Sequence, residues 1–330
     1  MGSLYACLGT QVVASRTIAS IDLGTNSIHL LIIKKTADAR LHVLHDRSEV
    51  VRMGQGLRQT GCIHPDAIVR TLTVLQKYQT YIQKYGCEQV YMTTTSAVRE
   101  AHNQQETLDA FHKVIDFRIE VISKEEEARL SYLSIVSDLA QTQDHTHHLV
   151  ADIGGGSTEI AWGMGTAFSQ GQSVAIGTVK LLEGPLAGPV VSRENVKAAI
   201  EEVNTYFQAY TPPRITNCFY GTAGSFTQLA ALERGLQDYD PLSIDQFALT
   251  AQATSQWIEK LFPLSIDAQK NIPGMHPDRA DVALAGCIIA LCLFHRLNAK
   301  TFHIRDRGIR YGKAFDVLSP FDTIVFPKTI

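Results

Sequence analysis

The chain carries one short phosphate-loop signature twice, and its two aspartates lie 130 positions apart. The first copy is SIDLGTNS at residues 20–27, and the second is VADIGGGSTE at residues 150–159. In each copy an apolar strand runs into aspartate, glycine and a small hydroxyl residue before a second apolar strand begins. Glycine at such a turn leaves backbone N–H groups accessible to an anion. The duplication therefore predicts two similarly built domains that face one bound anion.

Carboxylates stand beside both predicted phosphate loops. Because a carboxylate repels a phosphate, Asp22 and Asp152 indicate a divalent cation such as Mg²⁺, or a positioned water, between the two anions. Glu159 adds a further carboxylate at the end of the second loop. We expect these three side chains to form the metal site.

The candidate phosphate-binding residues are the backbone and side-chain donors at the two tips. They are Asn26 and Ser27 in the first loop and Gly154, Gly155, Gly156, Ser157 and Thr158 in the second. The alternative is that each loop is only a tight hairpin whose glycines supply turn geometry. The second copy in an equivalent strand context favours phosphate binding.

Length, charge and cysteine pattern narrow the class of protein. The 330 residues suffice for two domains, and a net charge of -3 without a basic block gives no support for nucleic-acid binding. The longest uncharged apolar run, residues 282–294, is shorter than the roughly 20 residues of a membrane span, so we expect a core helix. The cysteines form no C-x-x-C pair, and we expect a cytoplasmic protein with reduced thiols.

The hydrophobic pattern alternates strands and helices twice. The first unit is predicted to contain a hairpin within residues 17–44, a helix over 65–86, strands at 89–92 and 117–122, and helices around Val98 and Phe111. Ser123 and Glu126 have the spacing of a capping box, which predicts a helix from Ser123 onward. The second unit is predicted to contain strands at 173–176 and 218–220 and helices over 194–210 and after Gly224.

Glu127 and Arg99 are candidate catalytic residues. Glu127 lies in the first turn of the predicted helix, where a carboxylate can simply stabilise the helix dipole. It also lies at the proposed crossing between the domains, where it could face the cleft and act as a general base. Arg99 begins a helix after a strand, from which a guanidinium can contact phosphate oxygens.

Other polar clusters offer weaker signals. Basic residues that could line a channel for a phosphate chain, or only a solvated face, are Arg279, Arg305, Arg307 and Arg310. The turn at residues 221–224 precedes a helix and is a further potential anion or ribose contact. The histidine-rich loop at residues 144–148 is a weaker metal candidate, because no cysteine accompanies it.

Together these motifs resemble the exopolyphosphatase / guanosine pentaphosphate phosphatase (Ppx/GppA) family, within the superfamily of acetate kinase, sugar kinases, Hsp70 and actin. The resemblance extends over about residues 18–313. It rests on ordered segments at residues 22–27, 95–99, 122–129, 152–159, 177–178, 279–282 and 306–312.

This resemblance implies an α/β fold of two ribonuclease H-like domains with a cleft between them. It implies that Glu127 activates water, that Asp152 and Glu159 hold Mg²⁺ or Mn²⁺, and that Asn26, Arg99 and residues 154–157 grip the terminal phosphates. It also implies inorganic polyphosphate or pppGpp, the nucleotide of the stringent response, as substrate. Family members commonly form dimers, so we expect a homodimer that binds neither nucleic acid nor membrane.

We predict an N-terminal extension at residues 1–16, a first domain at 17–123 and a second at 124–307. A C-terminal helix at 308–330 is expected to complete the first domain, although the tail from residue 319 matches no family motif. Long family members add a C-terminal HD-type helical domain that is absent from these 330 residues, so the short two-domain subgroup is the closer comparison.

The predicted reaction is hydrolysis of a terminal phosphoanhydride bond by in-line water attack, with release of orthophosphate. One alternative is a nucleotide-dependent kinase of the same superfamily. The other is a non-catalytic sensor that binds (p)ppGpp or polyphosphate.

Overall fold

A computed structural model of the chain describes residues 15–139, 145–188, 190–213, 216 and 218–327, and these residues form two mixed β-sheets. The first sheet contains β1 (Arg16–Leu23), β2 (Ser27–Lys35), β3 (Arg40–Val50), β4 (Gln89–Thr94), β5 (Ile119–Val121) and the last strand, β12 (Thr323–Val325). The second contains β6 (His147–Ile153), β7 (Thr158–Met164), β8 (Ala167–Val174), β9 (Cys218–Thr222), β10 (Ala248–Thr250) and β11 (Thr301–Ile304).

The two sheets repeat one topology. Their strand orders are β12-β3-β2-β1-β4-β5 and β10-β11-β9-β6-β7-β8. In each sheet three antiparallel strands (β1 to β3, β6 to β8) are followed by a strand that pairs in parallel with the first of them, β4 with β1 and β9 with β6. A further strand then pairs in parallel with that one, β5 with β4 and β11 with β9. The predicted α/β fold of two duplicated ribonuclease H-like domains is therefore confirmed.

Helices cover the sheets and connect their parallel strands. Those near the first sheet are α1 (Leu57–Thr60), α2 (Pro65–Lys84), α3 (Ser96–Glu100) and α4 (Gln104–His112). The next are α5 (Lys124–Val136), α6 (Thr178–Leu182), α7 (Arg193–Gln208), α8 (Ala223–Arg234) and α9 (Pro241–Ile244). The last are α10 (Ala251–Leu261), α11 (Ile266–Lys270), α12 (Ala280–Leu297) and α13 (Ile309–Leu318), with a 3₁₀ turn at Pro277–Arg279 before α12.

The helix that carries the candidate base begins where its capping residue predicts. The hydroxyl of Ser123 accepts a hydrogen bond from the backbone N–H of Glu126 at 3.1 Å, and α5 starts at the next residue. This bond satisfies one of the free donors of the first helical turn. Because most of α5 is buried against β6, β7 and β8, Glu127 is carried inward rather than into solvent.

The predicted core helix is α12, which is buried along most of its length. Its segment Pro277–Leu297 is long and apolar enough to cross a membrane by composition, but 72% of its most apolar window lies inside the protein. Such burial is typical of a core helix and gives only weak support to a membrane span.

Two predicted element boundaries are wrong. The strand expected at 173–176 is β8, Ala167–Val174, and its first six residues were not predicted because it is a polar, partly exposed edge strand. The C-terminal helix ends at Leu318 rather than 330, since Pro320 cannot continue it, and β12 follows. The extension predicted for residues 1–16 falls mostly outside the described residues, and Arg16 already belongs to β1.

The chain's last segment returns to the first sheet. The buried side chains of α13 pack with those of β1, β2 and β3 in one apolar cluster made of Ile18, Leu31, Ile33, Leu41, Val43, Tyr311, Ala314, Phe315 and Leu318. β12 then pairs in parallel with β3. Sequence segments from both ends of the described chain thus build the first sheet.

The same helix α13 also lies against α5 at very short range. A Cβ added to Gly312 would lie 2.0 Å from the carbonyl oxygen of Leu130. The spacing of the two helices therefore depends on the missing side chain. It also sets the position of α5, and with it Glu127.

We predict that Gly312→Ala destabilises the protein by about 1–3 kcal/mol, because the backbone of α5 would have to move. Helix propensity alone favours the opposite sign, since alanine is about 1 kcal/mol better than glycine inside a helix. Denaturant unfolding measures the change. Lys313→Ala on the same helix removes an ion pair with Glu120 and a distant cation–π contact with Tyr91, and should cost less than about 1 kcal/mol. A Gly312→Ala protein as stable as the parent would show that the two helices are not tightly packed.

Candidate active site

The two loops have the same backbone turn. The N–H of Gly24 donates to the carbonyl of Ser27 at 2.9 Å, and the N–H of Gly154 donates to the carbonyl of Ser157 at 3.0 Å. Each turn joins the first two strands of its sheet. The duplicated sequence therefore produces two equivalent hairpin tips.

These tips meet. A Cβ added to Gly155 would lie 3.0 Å from the Thr25 Cβ and 3.2 Å from the backbone nitrogen of Asn26. One added to Gly156 would lie 2.6 Å from the Ser96 Oγ. The glycines are required here because each loop approaches the other domain at van der Waals distance.

A segment after β8 supports the second loop. The N–H groups of Thr178 and Val179 donate to the carbonyls of Gly154 and Gly155 at 3.0 and 2.9 Å. A Cβ on Gly177 would lie 2.4 Å from the Gly155 carbonyl oxygen. The position of the loop therefore depends on a glycine at residue 177.

Polar side chains stand in cross-strand register at the base of the second tip. Asp152 lies opposite Glu159, and Glu159 lies opposite Ser173 on the third strand. Thr222 lies beside Asp152 on the parallel strand. Since residues paired across a sheet project to the same face, this row belongs to one surface.

The first sheet carries the equivalent row with one chemical difference. Asp22 lies opposite His29, His29 lies opposite Ser48, and Thr93 stands beside Asp22. A histidine therefore takes the place that Glu159 has in the second copy. Burial, with Arg310 nearby, lowers the pKa of His29 well below its usual value, so the imidazole is neutral.

Both rows open onto one cavity of about 490 Å³ between the sheets. Its lining includes Asn26, Ser27, Gly154, Gly155, Gly156 and Ser157 of the predicted phosphate-binding set. It also includes the carboxylates of Asp22, Glu127, Asp152 and Glu159. Thr158 does not line it: this buried side chain donates to the Ile176 carbonyl at 2.7 Å, so its hydroxyl supports the fold.

Glu127 lies in the cavity wall with only 4% of its surface exposed. Arg99 Nη1 donates to its Oε2 at 2.8 Å and to the Ile122 carbonyl at 2.9 Å. Burial raises the pKa of Glu127 to about 7, and the charge of Asp152 adds to this, while Arg99 opposes it. A carboxylate in such a setting is suited to accept a proton near neutral pH.

Arg99 was expected to face bound phosphate, but its guanidinium contacts Glu127 instead. Its guanidinium touches Glu127 rather than opening onto the cavity, and it is absent from the lining. Its Nε and Nη2 are buried and have no hydrogen-bond partner among the described residues. In this geometry Arg99 orients Glu127, and two of its nitrogens have no partner among the described residues.

The remaining carboxylates repel one another. Burial raises the pKa of Asp22 to about 8 and that of Asp152 to about 6, and in Asp22 the charges of Asp152 and Glu127 contribute as well. Burial and the same neighbours raise the pKa of Glu159 well above its usual value. A buried acidic cluster of this kind favours a bound cation.

No group of three or more His, Cys, Asp or Glu side chains in the described ranges is arranged to hold a metal ion. Asp22, Asp152 and Glu159 thus do not form a ready three-ligand cage. They do fit a cation that shares its ligands with the substrate: Asp22 Oδ1 is buried without a hydrogen-bond partner. Mg²⁺ usually takes one or two carboxylates and completes its shell with water and phosphate oxygens.

The described residues of the histidine-rich loop, the weaker metal candidate, do not support a metal site there. Asp144 lies outside the described residues, and the histidines that follow belong to no metal-binding cluster within them.

The four basic candidates divide into two pairs. Arg279 and Arg310 line the cavity, but Arg305 and Arg307 do not. Arg305 and Arg307 are both buried and ion-paired with Asp138, at 3.0 and 2.7 Å. Their expected place in a substrate channel is therefore wrong: Asp138, just after α5, pairs with both, and Asp245 pairs with Arg305 as well at 3.1 Å.

The two lining arginines also differ. Arg310 pairs with Asp46 at 2.8 Å and Asp306 at 3.4 Å, so most of its charge is compensated. Arg279 donates to Ser48 Oγ at 3.1 Å and makes no ion pair with any described residue. Arg279 is thus the better cation for an additional phosphoryl group.

Several polar residues of the site escaped sequence reasoning. His29, Ser48 and Tyr239 line the cavity, and Ser131 and Ser173 bind its carboxylates. The sequence carries two signals for them: the alternation of side chains in β2 and β3, which places His29 and Ser48, and the four-residue spacing of Ser131 from Glu127. Neither signal shows which residue the side chain contacts until the fold is known.

The model of the Ppx/GppA phosphatase family matches residues 31–321. The chain is 32% identical over 283 residues to "Exopolyphosphatase 2" of Mycobacterium tuberculosis, covering 82% of this chain and 88% of that protein. It is 26% identical over 314 residues to a "Putative exopolyphosphatase" of Haemophilus influenzae, covering 93% of each. The crystal structure of the Aquifex aeolicus family member superposes with a TM-score of 0.77 at 28% identity, covering 92% of this chain and 98% of that one.

The chain therefore belongs to the Ppx/GppA phosphatase family. Membership confirms the resemblance inferred from the ordered motifs. It identifies the protein as a phosphatase, a hydrolase of phosphate compounds.

We predict that Gly177→Ala weakens tripolyphosphate binding at least about tenfold. The new methyl group would displace the second loop by several tenths of an ångström. The loop's donors would then no longer match the positions of the phosphate oxygens. Isothermal calorimetry with tripolyphosphate and Mg²⁺ measures the affinity.

Gly86→Ala is the matched control. Gly86 has a φ of 60° and open space around it, so alanine costs about 1–2 kcal/mol of stability without touching the cavity. Its affinity should be unchanged. Equal affinity in both variants would contradict a phosphate-binding second loop.

Proposed function

We propose that this protein is an exopolyphosphatase that removes terminal phosphoryl groups from inorganic polyphosphate and releases orthophosphate. The observation that carries the proposal is the placement of a buried, raised-pKa glutamate, Glu127, on the cavity onto which both glycine loops open. The exopolyphosphatase names of the similar proteins support the choice of substrate.

In the proposed reaction the two loops bind the terminal phosphoryl groups through backbone N–H groups and the hydroxyls of Ser27 and Ser157. Glu127, oriented by Arg99, accepts a proton from a water molecule. The water oxygen bonds to phosphorus as the bridging P–O bond breaks, and the electron pair leaves with the shortened chain. Arg279 holds a phosphoryl group further along.

Asp152 and Glu159, with Asp22 from the other sheet, are the residues that would hold the divalent cation. When bound, Mg²⁺ or Mn²⁺ neutralises phosphate charge and makes the transferred phosphoryl group more electrophilic. The carboxylates themselves are held by hydroxyl donors, Ser131 for Asp152 and Ser173 for Glu159.

We further propose a second substrate, an assembly and a cellular location on the basis of the resemblance to the family. They are pppGpp as an additional substrate with a role in the stringent response, a homodimeric assembly and a cytoplasmic location. Consistent with the last, Cys62, Cys87, Cys218, Cys287 and Cys292 are free thiols. We also propose that the first domain comprises residues 17–123 and the C-terminal segment, and that the second domain comprises residues 124–307.

We predict that the protein releases orthophosphate from polyphosphates of graded length and loses this activity on chelation of divalent cations. Phosphate release from polyphosphate, pppGpp and ATP, measured with and without EDTA, tests both points. ATP consumption only in the presence of an acceptor would show a kinase instead. Stoichiometric binding without phosphate release would show a sensor.

We predict that Glu127→Gln lowers turnover by about 10²–10⁴, because the amide cannot accept the proton. The affinity for tripolyphosphate should remain within a few fold of the parent. Glu126→Gln is the matched control, since Glu126 lies one residue earlier on α5 and pairs with Arg129 at 2.8 Å. Near-normal turnover in Glu127→Gln would refute the assignment of the base.

A further inference from the structure

Ser131 has a buried hydroxyl that contacts a carboxylate of the site and takes no direct part in the proposed reaction. It lies on α5 four residues after Glu127, with 1% of its surface exposed. Its Oγ donates to Asp152 Oδ2 at 2.9 Å. We propose that Ser131 is a positioning residue that fixes the Asp152 carboxylate for the divalent cation. The inference rests on the proposed function, in which Asp152 is a metal ligand.

The hydrogen bond limits the freedom of the carboxylate. Asp152 belongs to β6 and lines the cavity, and its side chain could otherwise rotate about its terminal torsion, which is broad for aspartate. With Oδ2 held by Ser131, the plane of the carboxylate is fixed and Oδ1 keeps its acceptor capacity for a cation. Hydrogen bonds of this type to a ligand are known to tune metal sites.

The three candidate ligands are not held equally. Ser173 Oγ donates to Glu159 Oε1 at 2.6 Å, so both carboxylates of the second sheet have a serine donor. Asp22 Oδ1 has no hydrogen-bond partner among the described residues. The two oriented ligands therefore belong to the second sheet, where we expect the cation to bind first.

Ser131 also ties the metal ligand to the base. Residues four apart on a helix lie on the same face, so Glu127 and Ser131 both point from α5 toward the cavity wall. Any shift of α5 would move the base and the hydrogen bond to Asp152 together. A single helix thereby sets the distance between the proton acceptor and the cation ligand.

Ser131→Ala should weaken binding of Mn²⁺ to the substrate-free protein by about 10- to 100-fold. Electron paramagnetic resonance of free Mn²⁺ during a titration measures this affinity without any turnover. In activity assays the half-saturating metal concentration should rise by a similar factor, while turnover at saturating metal stays within a few fold of the parent.

Ser134→Ala is the matched control. Ser134 lies on the same helix, is fully buried, and donates to the Ser131 carbonyl at 2.7 Å without touching a carboxylate. Its Mn²⁺ affinity should equal that of the parent. Ser131→Cys keeps a weaker donor of similar shape, so its Mn²⁺ affinity should lie between those of the parent and Ser131→Ala. This variant also tests the inference if Ser131→Ala folds poorly.

Unchanged Mn²⁺ affinity in Ser131→Ala would overturn the inference, and so would an equal loss in Ser134→Ala. Both outcomes are independent of the substrate. If the parent binds Mn²⁺ but releases no phosphate from polyphosphate, the proposed function fails and the role of Ser131 is still decided by the titration.

Discussion

The structure is organised around one electrostatic constraint, the burial of four carboxylates around a single cavity. Desolvation and mutual repulsion raise the pKa values of Asp22, Glu127, Asp152 and Glu159. Within the described residues only Arg99 forms an ion pair with one of them, Glu127. Such a cluster is costly unless positive charge enters with the ligand. Substrate-free and liganded states should therefore differ in protonation, and a bound cation would relieve the cost.

The two sheets repeat one topology, but they differ in chemistry at one register position beside the cavity. The second sheet has Glu159 opposite its aspartate, and the first has the neutral His29. The next position is serine in both sheets, but the two serines have different partners: Ser173 donates to Glu159, whereas Ser48 accepts a hydrogen bond from Arg279 of the other domain. Along this row the second sheet therefore offers one more carboxylate to the cavity than the first, and the first offers a serine that is bound to the cationic Arg279.

What could be predicted from sequence was the local part of the design. The two glycine tips, the Ser123 cap and the apolar helix α12 depend on residues close in the chain, and the structure has them at the expected places. Arg305 and Arg307 were placed wrongly, because their partner Asp138 lies more than 160 positions away. The polar edge strand β8 lacked the apolar alternation that marks a strand.

The return of α13 and β12 to the first sheet has a consequence for biosynthesis. Leu31 and Ile33 are buried partly by Tyr311 and Phe315, which leave the ribosome about 280 residues later. Until then the nascent N-terminal half presents an apolar sheet face with no cover, a state that is prone to aggregation and to capture by chaperones. The half that is synthesised first therefore reaches its native packing only after residues 309–325 have left the ribosome.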